Sequence, residues 1–246
     1  MKPTFKFGAL LIASSILAAC SSDSDNGNVV VTPLPDQDAQ FEITVTNLTN
    51  AQPLSPVAIM LHNAGFHSFI DGETSSTALE LLAEGGDNSE VLAEAQAALQ
   101  HLAAASTEGP IPPSAISPAV SLSVPADQLD DLRLSVITML VHTNDAFSGA
   151  NAANVSGMAV GETRTMNGPT WDSGTEANSE TRATMPGPDF GGEGFNAERD
   201  DPVNLVRFHQ SVVTSESAEF GLPTSDLRDR HRFLNPTTRI TVTRVQ

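Results

Sequence analysis

The feature that most constrains this fold is a period-two pattern of apolar and polar residues that recurs along the chain. In "FEITVTNL" (41–48), Phe41, Ile43 and Val45 alternate with polar residues, as in a strand with one buried face. Other segments that read as strands are "PVAIMLH" (56–62), "AVSLSV" (119–124), "LRLSVITMLVH" (132–142), "VSGMAV" (155–160), "NLVRFHQSVV" (204–213) and "TRITVTRV" (238–245). Many such strands joined by long connections predict an antiparallel β-sandwich.

One helical zone interrupts the strands. "TALELLAE" (77–84) ends at a Gly-Gly pair, and "DNSEVLAEAQAALQHLAAA" (87–105) carries an apolar stripe with helical spacing. Strands and helices do not alternate, which argues against a parallel α/β sheet. The sequence therefore predicts an all-β fold, an antiparallel sandwich with a short helical insertion.

The first twenty residues have the pattern of an export signal. Lys2 and Lys6 precede an apolar run that is too short to span a bilayer comfortably. "LAAC" (17–20) resembles the lipobox of bacterial lipoproteins, which implies a signal peptide over 1–19 and lipid attached to Cys20, the only cysteine. Since serine and not aspartate follows Cys20, the resemblance also implies export to the outer membrane, on its periplasmic face or at the cell surface.

The rest of the chain divides into a tether and one domain. Residues 20–40 lack periodicity and are rich in Ser, Asp, Asn and Pro, so they read as a flexible tether. Residues 41–246 are long enough for one domain with a sizeable core. Cleavage after residue 19 leaves 10 arginines against 30 acidic residues, a formal charge of −20. That charge argues against nucleic acid as a partner and leaves the lipid anchor as the contact with a membrane.

Three carboxylates are candidates for a metal site. "WDSGTEANSE" (171–180) places Asp172 and Glu176 four residues apart across Gly174, and Asp145 follows the strand 132–142. Loops at one end of a sandwich converge, and grouped carboxylates repel unless a cation or protons neutralise them. Calcium is the hard cation that such oxygen ligands suit. A solvated turn, with Asp172 capping its own backbone, explains the same spacing, so the pattern alone leaves both readings open.

The order of motifs resembles the spondin N-terminal domain family over residues 41–245. The segment from "FEITVTNL" through "PLSP", a strand ending in histidine, a phenylalanine pair and "LLAEGG" is similar to the opening of that family. "TNDAFSG" (143–149) and "WDSGTEANSE" are similar to its two aspartate-bearing stretches, and "FLNPTTRITVTRV" (233–245) to its closing strand.

This resemblance implies a C2-like β-sandwich that holds one calcium ion at its edge. Its ligands would be Asp145, Asp172 and Glu176. Glu176 stands where the family has aspartate, which lengthens that ligand arm but keeps a carboxylate. The disulfides of the animal domains are absent, since the chain has one cysteine.

Residue patterns for catalysis are missing. The chain has no Gly-x-Ser-x-Gly elbow and no nucleotide-binding glycine motif, so we expect that it is not an enzyme. His62 and His67 lack the spacing of a helical zinc site, and the histidines are expected to be structural or exposed; His142, three residues before Asp145, could support that site by hydrogen bonding. The three carboxylates could instead serve a glycoside hydrolase, but aromatic residues make up only 5% of the chain.

The predicted function is therefore a calcium-binding, lipid-anchored adhesion or binding domain that meets a protein or glycan ligand outside the cytoplasm. The alternative is a structural envelope lipoprotein in which the ion only stabilises the fold.

Overall fold

In the computed structural model, which describes residues 37–217 and 219–246, ten strands form two antiparallel sheets with two short helices beside them. The strands are β1 (Ala39–Asn47), β2 (Ala58–Asn63), β3 (His101–Ser106), β4 (Val120–Val124), β5 (Leu132–Met139), β6 (Ala146–Asn154), β7 (Thr163–Gly168), β8 (Thr170–Asp172), β9 (Arg207–Phe208) and β10 (Thr238–Arg244). The helices are α1 (Thr77–Gly85) and α2 (Ser89–Ala97). The predicted antiparallel sandwich with a short helical insertion is confirmed.

The smaller sheet has the strand order β4-β1-β10-β7, and the larger has the order β3-β2-β5-β6-β8-β9. The first and last strands of the domain are neighbours, with Phe41 of β1 opposite Arg244 of β10. The alternation in β1 works as predicted, because Phe41, Ile43 and Val45 are buried while the residues between them are more exposed.

The six-stranded sheet is buried on both faces. On β2, Ile59 and Leu61 pack in one core with the apolar face of β1. Met60, on the opposite face, packs in a second core with Leu79 and Leu82 of α1. The helical insertion therefore covers a sheet face that would otherwise expose apolar side chains to water.

Two assignments made from sequence were wrong, and a third, the strand predicted over 204–213, is reduced to Arg207–Phe208. The predicted helix 87–105 ends at Ala97, and its last part forms β3, which pairs with β2 and leaves Leu99 exposed. Alanine-rich sequence favours a helix locally, but pairing with the neighbouring strand overrides that preference. Residues 155–160 form a turn between β6 and β7, where Gly157 has φ +67°, a conformation that ends a strand.

The domain boundary also moves. Ala39 is buried and begins β1, so the fold starts two residues before the predicted boundary at Phe41. The predicted signal peptide, Cys20 and most of the tether lie outside the described residues. Among the described helices, none combines the length and the apolar character that crossing a membrane requires.

Candidate functional site

Asp145 lies in the tight connection between β5 and β6, directly before Ala146. The hydroxyl of Thr143 donates to the carbonyl of Leu140 at 2.6 Å and accepts from the amide of Ala146 at 3.1 Å, which closes the turn. Asp145 has no exposed surface. A carboxylate at this position has no contact with solvent, so the protein or a bound group must supply its hydrogen-bond donors or neutralise its charge.

The turn after β8 wraps one oxygen of Asp145. Oδ2 accepts from the hydroxyl of Ser173 at 2.9 Å and from the amides of Thr175 at 2.9 Å and Glu176 at 3.1 Å. β8 pairs with β6, which brings this turn beside Asp145. The structure thus joins two of the stretches singled out from sequence, and the amide of Glu176 contacts Asp145.

Gly174 allows the backbone conformation of the turn after β8. Its φ is +73°, and a Cβ there would collide with the backbone of Leu205, so glycine is required for both reasons. Its amide donates to Oδ1 of Asp172 at 2.9 Å. The local cap expected from the solvated-turn reading therefore exists, but Asp172 is buried and not solvated.

Four buried carboxylates of this region each have an oxygen without a hydrogen-bond partner among the described residues. These atoms are Oδ1 of Asp145, Oε2 of Glu176, Oε2 of Glu180 and Oε1 of Glu84. An ionised oxygen buried without a partner is costly, so such groups take up a proton or bind a cation.

The raised pKa values of these carboxyl groups reflect the cost of burying an ionised oxygen without a partner. Burial, followed by the charge of Asp172, raises the pKa of Asp145 to about 7. Burial, followed by the charge of Glu84, raises the pKa of Glu176 to about 8. Burial also raises the pKa of Glu180, to about 7. Without a cation these groups are therefore held partly protonated near neutral pH.

Asp172 differs from these acids because it has an arginine partner. Its Oδ2 accepts from Nη2 of Arg207 at 3.0 Å and from the side-chain amide of Asn178 at 2.8 Å. The same Arg207 nitrogen contacts Oδ2 of Asp201 at 2.7 Å. Burial still raises the pKa of Asp172 despite these contacts.

Sequence reasoning missed three residues of this region. Glu180 closes the stretch "WDSGTEANSE" and could have been included as a third acid of that stretch. Glu84 lies on the buried side of α1, and burial raises its pKa. Arg207 could be placed only from the pairing of β8 with β9, which joins it to Asp172 across 35 residues.

His142 does not support Asp145. Its Nδ1 lies 3.0 Å from the carbonyl oxygen of Ala51, and its Nε2 lies 3.1 Å from Oδ2 of Asp189. The expectation that His142 hydrogen bonds at the carboxylate site is wrong, because the β5–β6 turn directs the ring toward a different loop.

His62 has the structural role expected of it. It is buried in β2, with Nε2 at 2.9 Å from the hydroxyl of Ser135 and Nδ1 at 2.8 Å from the carbonyl oxygen of Asn63. Both ring nitrogens have partners within the sheet, so neither is left for a metal ion.

The chemistry of the unpartnered oxygens fits a hard cation. Carboxylate oxygens are the ligands that calcium prefers, and four of them here lack any other partner among the described residues. Across residues 37–217 and 219–246, no three His, Cys, Asp or Glu side chains converge closely enough to hold a metal ion as they stand. Side chains that bind calcium would have to turn toward a common point.

A scan against models of protein families finds none that matches this chain, and a search of curated proteins also finds no match. The spondin-type resemblance therefore stays a prediction.

Proposed function

We propose that this protein is a calcium-binding, lipid-anchored domain of the spondin N-terminal type that acts outside the cytoplasm as a binding or adhesion module. The single observation that supports it best is Oδ1 of Asp145, an unpartnered carboxylate oxygen in a residue with no exposed surface. Asp172 and Glu176 are the other proposed ligands, and Glu180 is an additional candidate.

Each of these residues has a distinct part in the proposal. Asp145 is held in place by the four donors on its Oδ2, which leaves Oδ1 to a cation. Glu176 supplies both a backbone donor to Asp145 and an unpartnered oxygen of its own. A calcium ion would supply the positive charge that these carboxylates lack and would fasten the turn after β8 to the β5–β6 turn.

A binding role is favoured over catalysis by the enclosure of the carboxylates. A general acid or a nucleophile must reach the substrate within hydrogen-bonding distance. Asp145 has no exposed surface, and the turn 173–176 covers it. The glycoside hydrolase alternative would require this turn to open.

The test is a thermal melt of the chain from Ser21 to Gln246, with calcium and with excess chelator. At a hundredfold excess over its dissociation constant, one site adds about 2.7 kcal/mol to the free energy of unfolding. In a domain of this size that raises Tm by about 5–10 °C. Identical melts in calcium and chelator would refute the cation site.

Asp145→Asn and Glu80→Gln form a matched pair of variants. The amide oxygen of Asp145→Asn can still accept from the turn, but the unpaired charge is gone. This variant should therefore lose the calcium shift while melting in chelator no lower than the parent. Glu80 is also buried but contacts Arg199, so Glu80→Gln should melt lower and keep the calcium shift. A full calcium shift in Asp145→Asn would remove Asp145 from the site.

A further inference from the structure

A cavity of about 830 Å³ lies beside the β5–β6 turn, apart from the carboxylates described above. Its wall includes three arginines and two aspartates together with two histidines and a phenylalanine: Arg182, Arg228, Arg230, Asp189, Asp226, His142, His231 and Phe190. With three arginines against two aspartates the wall keeps an excess of positive charge, on a chain with a net charge of −18. The volume is within the range of about 300–1,000 Å³ that small-molecule sites occupy.

His142 offers a buried hydrogen-bond acceptor to this cavity. Its side chain is 6% exposed, and Nδ1 donates to the carbonyl of Ala51, which leaves Nε2 as the acceptor of a neutral ring. Burial lowers the pKa of His142, against the opposing effect of Asp189, and so favours the neutral ring. Nε2 has no hydrogen-bond donor among the described residues and faces an oxygen of Asp189, whose side chain is 67% exposed. A ligand hydroxyl that displaced Asp189 would supply the missing donor.

The guanidinium group of Arg230 has hydrogen-bond donors that are available to a ligand. The buried ring of His231 accepts at Nδ1 from the backbone amide of Arg228 at 2.9 Å, and its Nε2 lies 3.2 Å from Nε of Arg230. A neutral imidazole has one acceptor nitrogen, so it cannot accept from both groups. No carboxylate among the described residues lies within 4.0 Å of Arg230. Its guanidinium group therefore lacks an anionic partner.

Arg182 is fixed at the wall of the cavity. Its guanidinium lies 5.1 Å from the centre of the Phe190 ring, and Nη1 donates to the carbonyls of Asp189 and Phe190. Such pre-ordering reduces the entropy lost when a ligand binds. Arg228, which also lines the cavity, donates to Glu216 through Nη1, and its other guanidinium nitrogens have no hydrogen-bond partner among the described residues.

The ligand that matches these groups has several acceptors and at least one hydroxyl. A carboxylate accepts from a guanidinium group through two parallel hydrogen bonds. Sulfate offers acceptors to the arginines but no hydroxyl to His142, and a neutral sugar offers hydroxyls but no charge. None of the residues that line the cavity is a serine, threonine, cysteine or lysine, so the wall offers no nucleophile of these types.

We propose that this cavity binds a hydroxylated carboxylate of the size of a uronic acid, with the carboxylate on Arg230 and a hydroxyl on His142. The ligand is either a free sugar acid or a residue of an acidic polysaccharide. This names a ligand class for the proposed binding module and rests on that function. The cavity contains none of Asp145, Asp172 and Glu176, so it can fail or hold independently of the calcium site.

The test is isothermal titration of the chain from Ser21 to Gln246 with D-glucuronate at pH 7 and low salt. Glucose and sulfate are the matched probes that lack the charge or the hydroxyl. We expect glucuronate to bind at least tenfold more tightly than either probe. Arg230→Gln should weaken glucuronate binding at least tenfold, whereas Arg239→Gln, an exposed arginine outside the cavity, should leave it unchanged. Both arginines are exposed, so neither variant disturbs a core.

Three results would overturn the inference: no heat with glucuronate, equal affinity for sulfate, or unchanged affinity in Arg230→Gln. Tighter binding of a glucuronate trimer would support a polysaccharide source, and weaker binding of the trimer would support a free sugar acid. The two proposals are tested separately. Identical melts in calcium and in chelator would refute only the calcium site, and a titration without heat would refute only the ligand of the cavity.

Discussion

Two groups of buried acids differ in how their charge is compensated. The arginine-paired acids are Glu80, at 2.6 Å from Arg199, and Asp201, at 2.7 Å from Arg207. The uncompensated acids are Asp145, Glu176, Glu180 and Glu84, and none of them is within 4.0 Å of a described arginine or histidine nitrogen. All six acids are largely buried, so burial alone does not separate the groups.

The pKa values show what a nearby positive charge contributes. Burial acts to raise the pKa of Asp201, but hydrogen bonds from Arg207 and from the backbone outweigh it, and the pKa is lowered. Asp145 accepts four hydrogen bonds from neutral donors, yet burial and the charge of Asp172 raise its pKa to about 7. Neutral donors do not offset the burial of Asp145, whereas Arg207 and backbone donors together offset the burial of Asp201. For Asp172, which shares Arg207, burial outweighs the contacts and the pKa stays raised.

The largest effect is expected from Arg207→Gln, which converts paired acids into uncompensated ones. Asp172 and Asp201 would both remain buried without a cation. Removing one partner of a buried ion pair costs about 3–5 kcal/mol, and the 33% exposure of the Arg207 side chain reduces this to about 2–4 kcal/mol. Urea denaturation in chelator measures the loss.

Calcium provides the second half of that experiment. If the two groups of acids differ only in whether a positive charge lies beside them, Asp172 becomes an uncompensated acid in Arg207→Gln. The rise in Tm that calcium causes should then be larger in this variant than in the parent. A stability loss below about 0.5 kcal/mol, within the usual range of a surface substitution, would mean that Arg207 does not compensate these acids.

An intermediate effect is expected from pH in chelator. Asp145 and Glu180 have pKa values of about 7 and Glu176 of about 8, against about 4 in an unfolded chain. The folded state therefore binds more protons, and its stability falls as pH rises until the folded pKa is passed. A fall of about 1.4 kcal/mol, equivalent to one pKa unit, lowers Tm by about 3–5 °C.

The histidines set the pH window for this measurement. Burial lowers the pKa of His209 and of His231 to about 4, so their contribution to stability rises with pH up to about 6.5 and is constant above it. Melts between pH 6.5 and 8.5 therefore isolate the carboxyl groups. Tm should fall over this range in chelator, fall less in Asp145→Asn, and stay level in saturating calcium. A level Tm in chelator would contradict the raised pKa values.

Strands with one solvent-exposed face were predictable from the sequence, and the other strands were less so. β1 and β10 alternate buried and exposed residues, and their sequence shows that pattern directly. β7 has mostly polar residues and was missed, because it gains its strand partner only through β10. β3 was taken for helix, since pairing with β2 cannot be read from its alanines.

The sequence indicated which acids belong to the candidate site but not which acids have an arginine partner. Asp145 and Glu176 stand out because they follow strand ends, and the structure brings the amide of one to the carboxylate of the other. Which acids are neutralised depends on Arg207 and Arg199, and these reach Asp172 and Glu80 across 35 and 119 residues of chain. Contacts of that range depend on the folded chain as a whole.

The smallest effect is expected from Asp131→Asn, which breaks an ion pair of similar length at the surface. Asp131 lies 2.9 Å from Nη2 of Arg133, and its side chain is 53% exposed. Water already solvates both charges, so the loss should stay within about 0.5 kcal/mol and should not depend on calcium. Urea denaturation beside Arg207→Gln gives the contrast, because the pairing distances are similar while burial differs, as does the number of partners: two acids for Arg207 and one arginine for Asp131. A loss above about 1 kcal/mol would mean that the pairing distance sets the cost, and burial would then no longer explain the difference between paired and uncompensated acids.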